Sequence, residues 1–198
     1  LVGFQNGFAF KSKDWQDAGV PVVKIGSVKP GAVDLDQVSY VSEAVAEENK
    51  KFRLSVGDLL IGMTGYVGEV GLVPPTEVLP LLNQRVGKLI LPEPGPSGLG
   101  FVYCFCRQPS FKKAVVDRAH GSAQANVSSR EILGIPLATP PASVVQQFNA
   151  MVAPLLQSLL DNMGEARTVR ATREALLVTL LGGDMRVPTA AVLNGVAP

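Results

Sequence analysis

The sequence predicts an α+β chain: a compact, mixed, β-rich domain followed by a long coiled-coil-type α-helix. Three observations predict it. Up to residue 141, short runs of branched apolar residues are separated by turns rich in Gly, Pro, Asn and Ser, the pattern of short strands with few helices. From Ser143 to Leu181 the pattern changes. Val145, Phe148, Val152, Leu155, Leu159, Ala166, Val169, Leu176 and Leu180 recur in steps of three and four, the heptad seam of a coiled coil, with Asn162 and Arg173 as polar members. Between the two regions Thr139-Pro140-Pro141 breaks the chain. The expected divisions are a domain over 1–141, a long spacer or dimerisation helix over 142–183, and a flexible tail over 184–198.

Leu1 to Trp15 is aromatic and Gly-rich, and reads as a strand end and loop covering the core, or as a phosphate-touching loop with Lys11 and Lys13 flanking Ser12. Val20 to Val28 reads as a strand, and Val33 to Val41 as a shorter extended piece. Ser42 caps a polar helix reaching about Lys51. Leu59 to Met63 is a buried strand. It forms a hairpin with Gly68 to Val73 and puts Thr64-Gly65-Tyr66 at the tip. Leu81 to Val86 leads into a strand over Lys88 to Leu91. Leu99 to Arg107 is ambiguous by periodicity. Pro109 opens a helix through Arg118. His120 to Val127 is a small polar loop, and Ser128-Ser129-Arg130-Glu131 is a capping box opening a short helix. That loop, lying before a helix N-terminus, offers N–H groups to an anion, or is purely structural. Ile135 to Ala138 reads as a last strand. Ser143 to Gln146 is a second capping box. At about 1.5 Å per residue the helix that follows is roughly 58 Å long, too long for a small domain to cover. Pro154 is expected to kink it or cost about 3 kcal/mol, and Gly182-Gly183 to end it.

Composition narrows the classes. The hydrophobic share of 46% is ordinary for a globular protein. No apolar run approaches the roughly 18 residues of a membrane span, so no membrane partner is expected. Leu1 to Phe10 lacks the features of a signal peptide. Cys104 and Cys106 lie too close for an ordinary bridge, which implies a reducing, cytoplasmic home. The start without methionine is consistent with a fragment. Residues 1–140 carry 14 Lys or Arg against 13 Asp or Glu, a net +1, so the domain has no broad basic footprint.

Catalytic motifs fail on context. Glu48-Asn49-Lys50 matches the E-x-K of many nucleases but sits in a helical stretch. Ser110 and Lys113 form an S-x-x-K with no oxyanion site. Two cysteines and one histidine make a four-ligand zinc site implausible. The glycines at 62, 65 and 68 lack the Lys-Ser/Thr of a nucleotide loop. Thr139-Pro140-Pro141-Ala142 fails both ends of an amino-methyltransferase motif. No catalytic residue, metal or cofactor is expected.

The order of landmarks is informative. They are Gly7-Phe8-Ala9-Phe10-Lys11-Ser12, Val20-Pro21-Val22-Val23-Lys24-Ile25-Gly26, Gly57-Asp58-Leu59-Leu60-Ile61, Thr64-Gly65 through Gly68, and Leu82-Asn83-Gln84-Arg85-Val86. Gly121 to Ser128 follows, then Ile135-Pro136-Leu137, Pro140-Pro141 and Gln146. This series resembles a target-recognition domain of the specificity subunit of type I restriction-modification enzymes, followed by that family's conserved spacer helix. Leu177 to Val187 resembles the end of the family's C-terminal helix, so the expectation is the second half of a subunit or a natural half-subunit. Pro154 departs from the family pattern, as does the lack of an evident strand before the first glycine motif.

The resemblance implies a non-catalytic module that reads one half of a split sequence in double-stranded DNA. It also implies the adenine methyltransferase subunits and a restriction-translocase subunit as partners. The helix would pack against the other half's helix or a second copy, using Val145, Phe148, Val152, Leu155, Leu159, Asn162, Val169, Arg173, Leu176 and Leu180. The alternatives are a protein-only assembly domain and a fragment of a restriction enzyme with fused catalytic parts. The DNA-contacting residues follow from chemistry, because amide and cationic side chains read base edges while phosphates take Lys, Ser and N–H groups. Tyr66, His120, Gln124 and Arg130 are the base-edge or groove candidates. Lys11, Lys13, Lys24 and Ser122 are the phosphate candidates.

Overall fold

The computed structural model describes residues 2–36, 38–91, 93, 95–121 and 124–182. The tail expected over 184–198 therefore lies outside the described residues. Two sheets form the domain. The larger takes β1 (Gly3–Asn6), β4 (Gly31–Ala32), β6 (Leu59–Gly62), β7 (Val70–Leu72) and β9 (Val86–Ile90) in the order β1-β9-β6-β7-β4. The smaller takes β2 (Trp15–Gln16), β3 (Val20–Val23), β5 (Ser39–Val41) and β8 (Leu81–Leu82) in the order β2-β5-β3-β8. Neighbours pair antiparallel except β4 with β7 and β3 with β8.

The pleat explains why β6 is buried on both faces. Successive side chains of a strand point to opposite sides. Leu59 and Ile61 join a core shared with the helices, whereas Leu60 joins a core between the two sheets with Val23, Leu82 and Val86. The smaller sheet repeats the device. Val23 and Leu82 face the inter-sheet core, while Val20, Val22 and Leu81 pack with Phe10 and Ala46 on the outer side. Ala46 belongs to α1 (Glu43–Glu48), whose first turn is capped by the Ser42 hydroxyl accepting from Val45 N–H.

The larger sheet's other face is covered by α2 (Pro96–Cys106), α3 (Pro109–Val116), α4 (Ser129–Leu133) and α5 (Ala142–Leu181). The ambiguous stretch Leu99 to Arg107 is thus mostly helix. The β6–β7 hairpin forms with the expected tip. The strand expected over Val20 to Val28 ends at Val23, and a 3-10 turn over Ile25–Ser27 follows, closed by Ser27 N–H on the Lys24 carbonyl. Ile135 to Ala138 is an irregular connector and not a strand, since Pro136 has no N–H to give a ladder. The strand missed before Gly7 exists as β1, paired with β9.

Helix α5 starts at Ala142 with Pro141 at its N-cap, and no side chain caps it, so the Ser143 capping box is not made. It runs as one helix through Pro154, a residue on the exposed side. It is not a rod carrying the domain only at its end. Asn149, Leu156 and Leu160 are buried, and Val152, Leu159 and Met163 pack on the core that α2 covers. Small residues permit the approach. A Cβ added to Gly100 of α2 would lie 3.0 Å from Asn149 Oδ1 and 3.2 Å from Val152 Cβ. Farther along, Gly164 meets Pro75, and Arg170 pairs with Asp36. Beyond Arg170 every described side chain of the helix is exposed except the half-buried Thr179. No described helix is long and apolar enough to cross a membrane.

Candidate functional site

The β6–β7 hairpin tip, the β8–β9 turn and the loop before α4 converge on one polar cleft of about 470 Å³. Each wall has a local cause. Val86 N–H donates to the Asn83 carbonyl at 3.0 Å, closing a tight turn that carries Gln84 and Arg85. That turn is tied on three further sides. Asn83 N–H donates to the Val23 carbonyl, Gln84 N–H to the Phe8 carbonyl, and the Arg85 carbonyl accepts from Met63 N–H.

The opposite wall is the loop after α3. His120 and Asn126 exchange two backbone hydrogen bonds of 2.8 Å, which pinch the loop at its base. Gly65 N–H donates to the Ala125 carbonyl and Val127 N–H to the Met63 carbonyl, stitching loop to hairpin. Gly65, at φ +71°, supplies a backbone that side-chain-bearing residues rarely adopt. Across the cleft Arg85 Nη1 donates to Gln124 Oε1 at 3.2 Å. Asn6, Asn126 and Ser129 complete the polar lining, which contains no carboxylate among the described residues.

The floor is fixed by α4. Ser128 Oγ accepts from Glu131 N–H, and the Glu131 carboxylate accepts from Ser128 N–H and from its hydroxyl, each at 2.7 Å. These Ser128 hydrogen bonds, and then His120 Nε2 at 2.7 Å, hold the Glu131 carboxyl below the ordinary carboxylate range. The place an incoming anion would take at this helix start is therefore filled by Glu131 itself.

Of the sequence candidates, Gln124 lines the cleft and Tyr66 stands beside it at the hairpin tip, 59% exposed. Lys29 Nζ lies 5.7 Å from the Tyr66 ring centre, adding a positive charge to that rim. His120 is exposed but directed to Glu131, and Arg130 is exposed on α4. Lys11 and Lys13 are exposed around the 3-10 turn over Ser12–Asp14. Lys24 is half-buried, donates to Ser39 Oγ at 2.6 Å and sits 3.8 Å over the Trp15 ring, so its ammonium already serves the fold. Ser122 lies outside the described residues. Arg85, Gln84, Asn6 and Lys29 escaped the sequence reading. A polar triplet, Asn83-Gln84-Arg85, interrupting two apolar strands was the signal available for the first two.

Elsewhere the candidate chemistry disperses. Glu47 pairs with Lys50 at the surface, and Glu48 ends α1. Cys106 is buried on α2, and burial pushes its thiol up to about 12. The proposed helix-packing residues divide into two rows. Val145, Val152 and Leu159 lean on the domain as half-buried residues. Phe148, Leu155, Asn162, Val169 and Leu176, spaced by seven, form an exposed row, with Met151 beside it. Phe148 touches Phe101 edge-on at 6.2 Å between centroids. Arg173 and Leu180 are exposed.

No family model matches this chain. It is 25% identical over 175 residues to the HindI specificity subunit of the type I restriction enzyme of Haemophilus influenzae, which covers 88% of this chain and 37% of that protein. It is 24% identical over 196 residues to the MjaVIII specificity subunit of Methanocaldococcus jannaschii, covering 94% and 45% respectively. Its fold superposes on the type I restriction-modification S subunit from M. genitalium with a TM-score of 0.55 and 15% identity, over 92% of this chain and 44% of that one. The chain thus spans less than half the length of these relatives.

Proposed function

From the premise that its relatives are type I restriction enzyme specificity subunits and its fold is theirs, we propose what the chain does. It is a non-catalytic specificity module that reads one half of a bipartite target in double-stranded DNA. It works beside adenine methyltransferase subunits and a restriction-translocase subunit.

The observation that carries this reading is the cleft. Arg85, Gln84, Gln124, Asn6 and Asn126 offer the amide and guanidinium groups that recognise base edges, Asn6 from the end of β1 and the others from a turn and a loop held by backbone hydrogen bonds. Preorganised donors lose little freedom when they bind. Tyr66 at the hairpin tip and Lys29 beside it, with Lys11 and Lys13, serve the phosphate and groove walls. The near-neutral domain gives modest affinity alone, so the methyltransferase subunits supply the rest of the grip.

The long helix supports the same reading. Its row from Phe148 to Leu176 is exposed among the described residues, apart from the edge contact of Phe148 with Phe101, and suits the helix of another half or of a second copy. The helix then sets the spacing between two half-sites, and it forms part of the dock for the methyltransferase subunits. Methylome sequencing of cells carrying the intact system tests the proposal. Modified adenines in a split motif are the expected result. A system that is expressed yet leaves no modified motif contradicts it.

A further inference from the structure

We infer that Arg85, braced by Gln124, reads a guanine, so that the half-site contains a G·C pair at one position. The inference rests on the DNA-reading function proposed above and names the base that this pair selects.

A free glutamine amide reads adenine with one acceptor and one donor. Here Gln124 Oε1 accepts from Arg85 Nη1 at 3.2 Å, which occupies one of its two acceptor lone pairs and leaves both NH₂ donors. Arg85 carries five N–H groups and no acceptor. The pair therefore presents mostly donors. In the major groove guanine presents two adjacent acceptors, O6 and N7, whereas adenine and cytosine each present an amino donor. A donor-rich pair with a guanidinium fork matches the two acceptors of guanine, meets an amino donor in adenine and cytosine, and finds only the single O4 acceptor beside a methyl group in thymine.

Three observations favour a base over a phosphate for this arginine. Its brace is a neutral amide, so its orientation is fixed while its charge is kept. Among the described residues Arg85 has no carboxylate partner. Its backbone belongs to a turn tied by four backbone hydrogen bonds, which fixes the root of the side chain inside the cleft among amide groups rather than on an outer rim.

The test is selection of duplexes from a random library by the full chain and by two variants, Arg85→Ala and Gln124→Ala. Both side chains are exposed, and matching thermal unfolding of each variant to the parent establishes that it is folded. The parent chain is expected to enrich a motif with an invariant guanine. Arg85→Ala should lower the preference at that position by about 5- to 150-fold, the range of one bidentate contact, and spare the other positions. Gln124→Ala should relax the same position by less. If Arg85→Ala weakens all sequences equally, Arg85 is a phosphate contact and the inference is overturned while DNA reading survives. If the relaxed position is not a guanine, it is likewise overturned. If the parent enriches no sequence, the DNA-reading function itself falls and takes this inference with it.

Discussion

Thr64 Oγ1 donates to Asn126 Oδ1 at 2.6 Å, joining the hairpin tip to a loop 62 residues away. Thr64 is buried and Asn126 is exposed, so the bond lies half-buried in the wall of the cleft. Removing its donor loses one hydrogen bond whose acceptor water can reach, a net cost of about 0.5–1.5 kcal/mol. Thr64→Val should lower the urea midpoint by a matching amount without changing the slope. An unchanged midpoint would show that the cleft is held by its backbone bonds alone.

Leu155 and Leu156 are neighbours on α5 with opposite surroundings, 68% exposed and 4% exposed. Leu156→Ala empties a packed site in the core and should cost about 2–5 kcal/mol. Leu155→Ala should leave the unfolding of an isolated chain within about 0.5 kcal/mol, as surface changes do, and instead weaken association. Thermal unfolding at low concentration, paired with sedimentation, separates the two effects. Equal losses of stability would mean that the helix does not present the face described.

Asn162 is the polar member of the exposed row, between Leu155 and Val169. Polar residues at such positions set register at some cost in stability. Asn162→Leu should therefore strengthen or alter self-association. Sedimentation showing an unchanged monomer would remove that role.

Acid should loosen the cleft floor. The Glu131 carboxyl is held below its ordinary value by Ser128 and His120. A carboxyl lowered on folding contributes stability above its unfolded value, and that contribution is lost as pH falls through the folded value. The stability difference between the parent chain and Glu131→Gln should thus be largest near neutrality. It should shrink below the ordinary carboxylate range. Urea midpoints across that range check it, and a constant difference would contradict it.

Local rules made much of this fold legible. Ser42 and Ser128 cap the helices expected of them, and the hairpin around Thr64-Gly65-Tyr66 closes as its glycines require. Long-range geometry was less legible. The heptad pattern marks an apolar arc on α5, but which part of it meets the domain depends on where α2 lies and on the missing side chain of Gly100. The cleft is harder still. Gln124 stood out as an amide in a polar loop. Arg85 and Asn6 reach the same hollow only because β1, β9 and β6 are adjacent in the sheet, an adjacency no local period encodes. Lys24 illustrates the converse, since its lysine chemistry is visible in the sequence whereas its engagement with Trp15 and Ser39 is not.

The central claim is that this chain selects DNA by sequence. The most direct measurement is the affinity of the full chain for its best selected duplex against a scrambled duplex of equal length, over a series of salt concentrations. The expected result is a preference for the selected sequence at every salt, with both affinities falling as salt rises and phosphate contacts are screened. Equal affinity for the two duplexes, or no salt-sensitive binding to either, would contradict it.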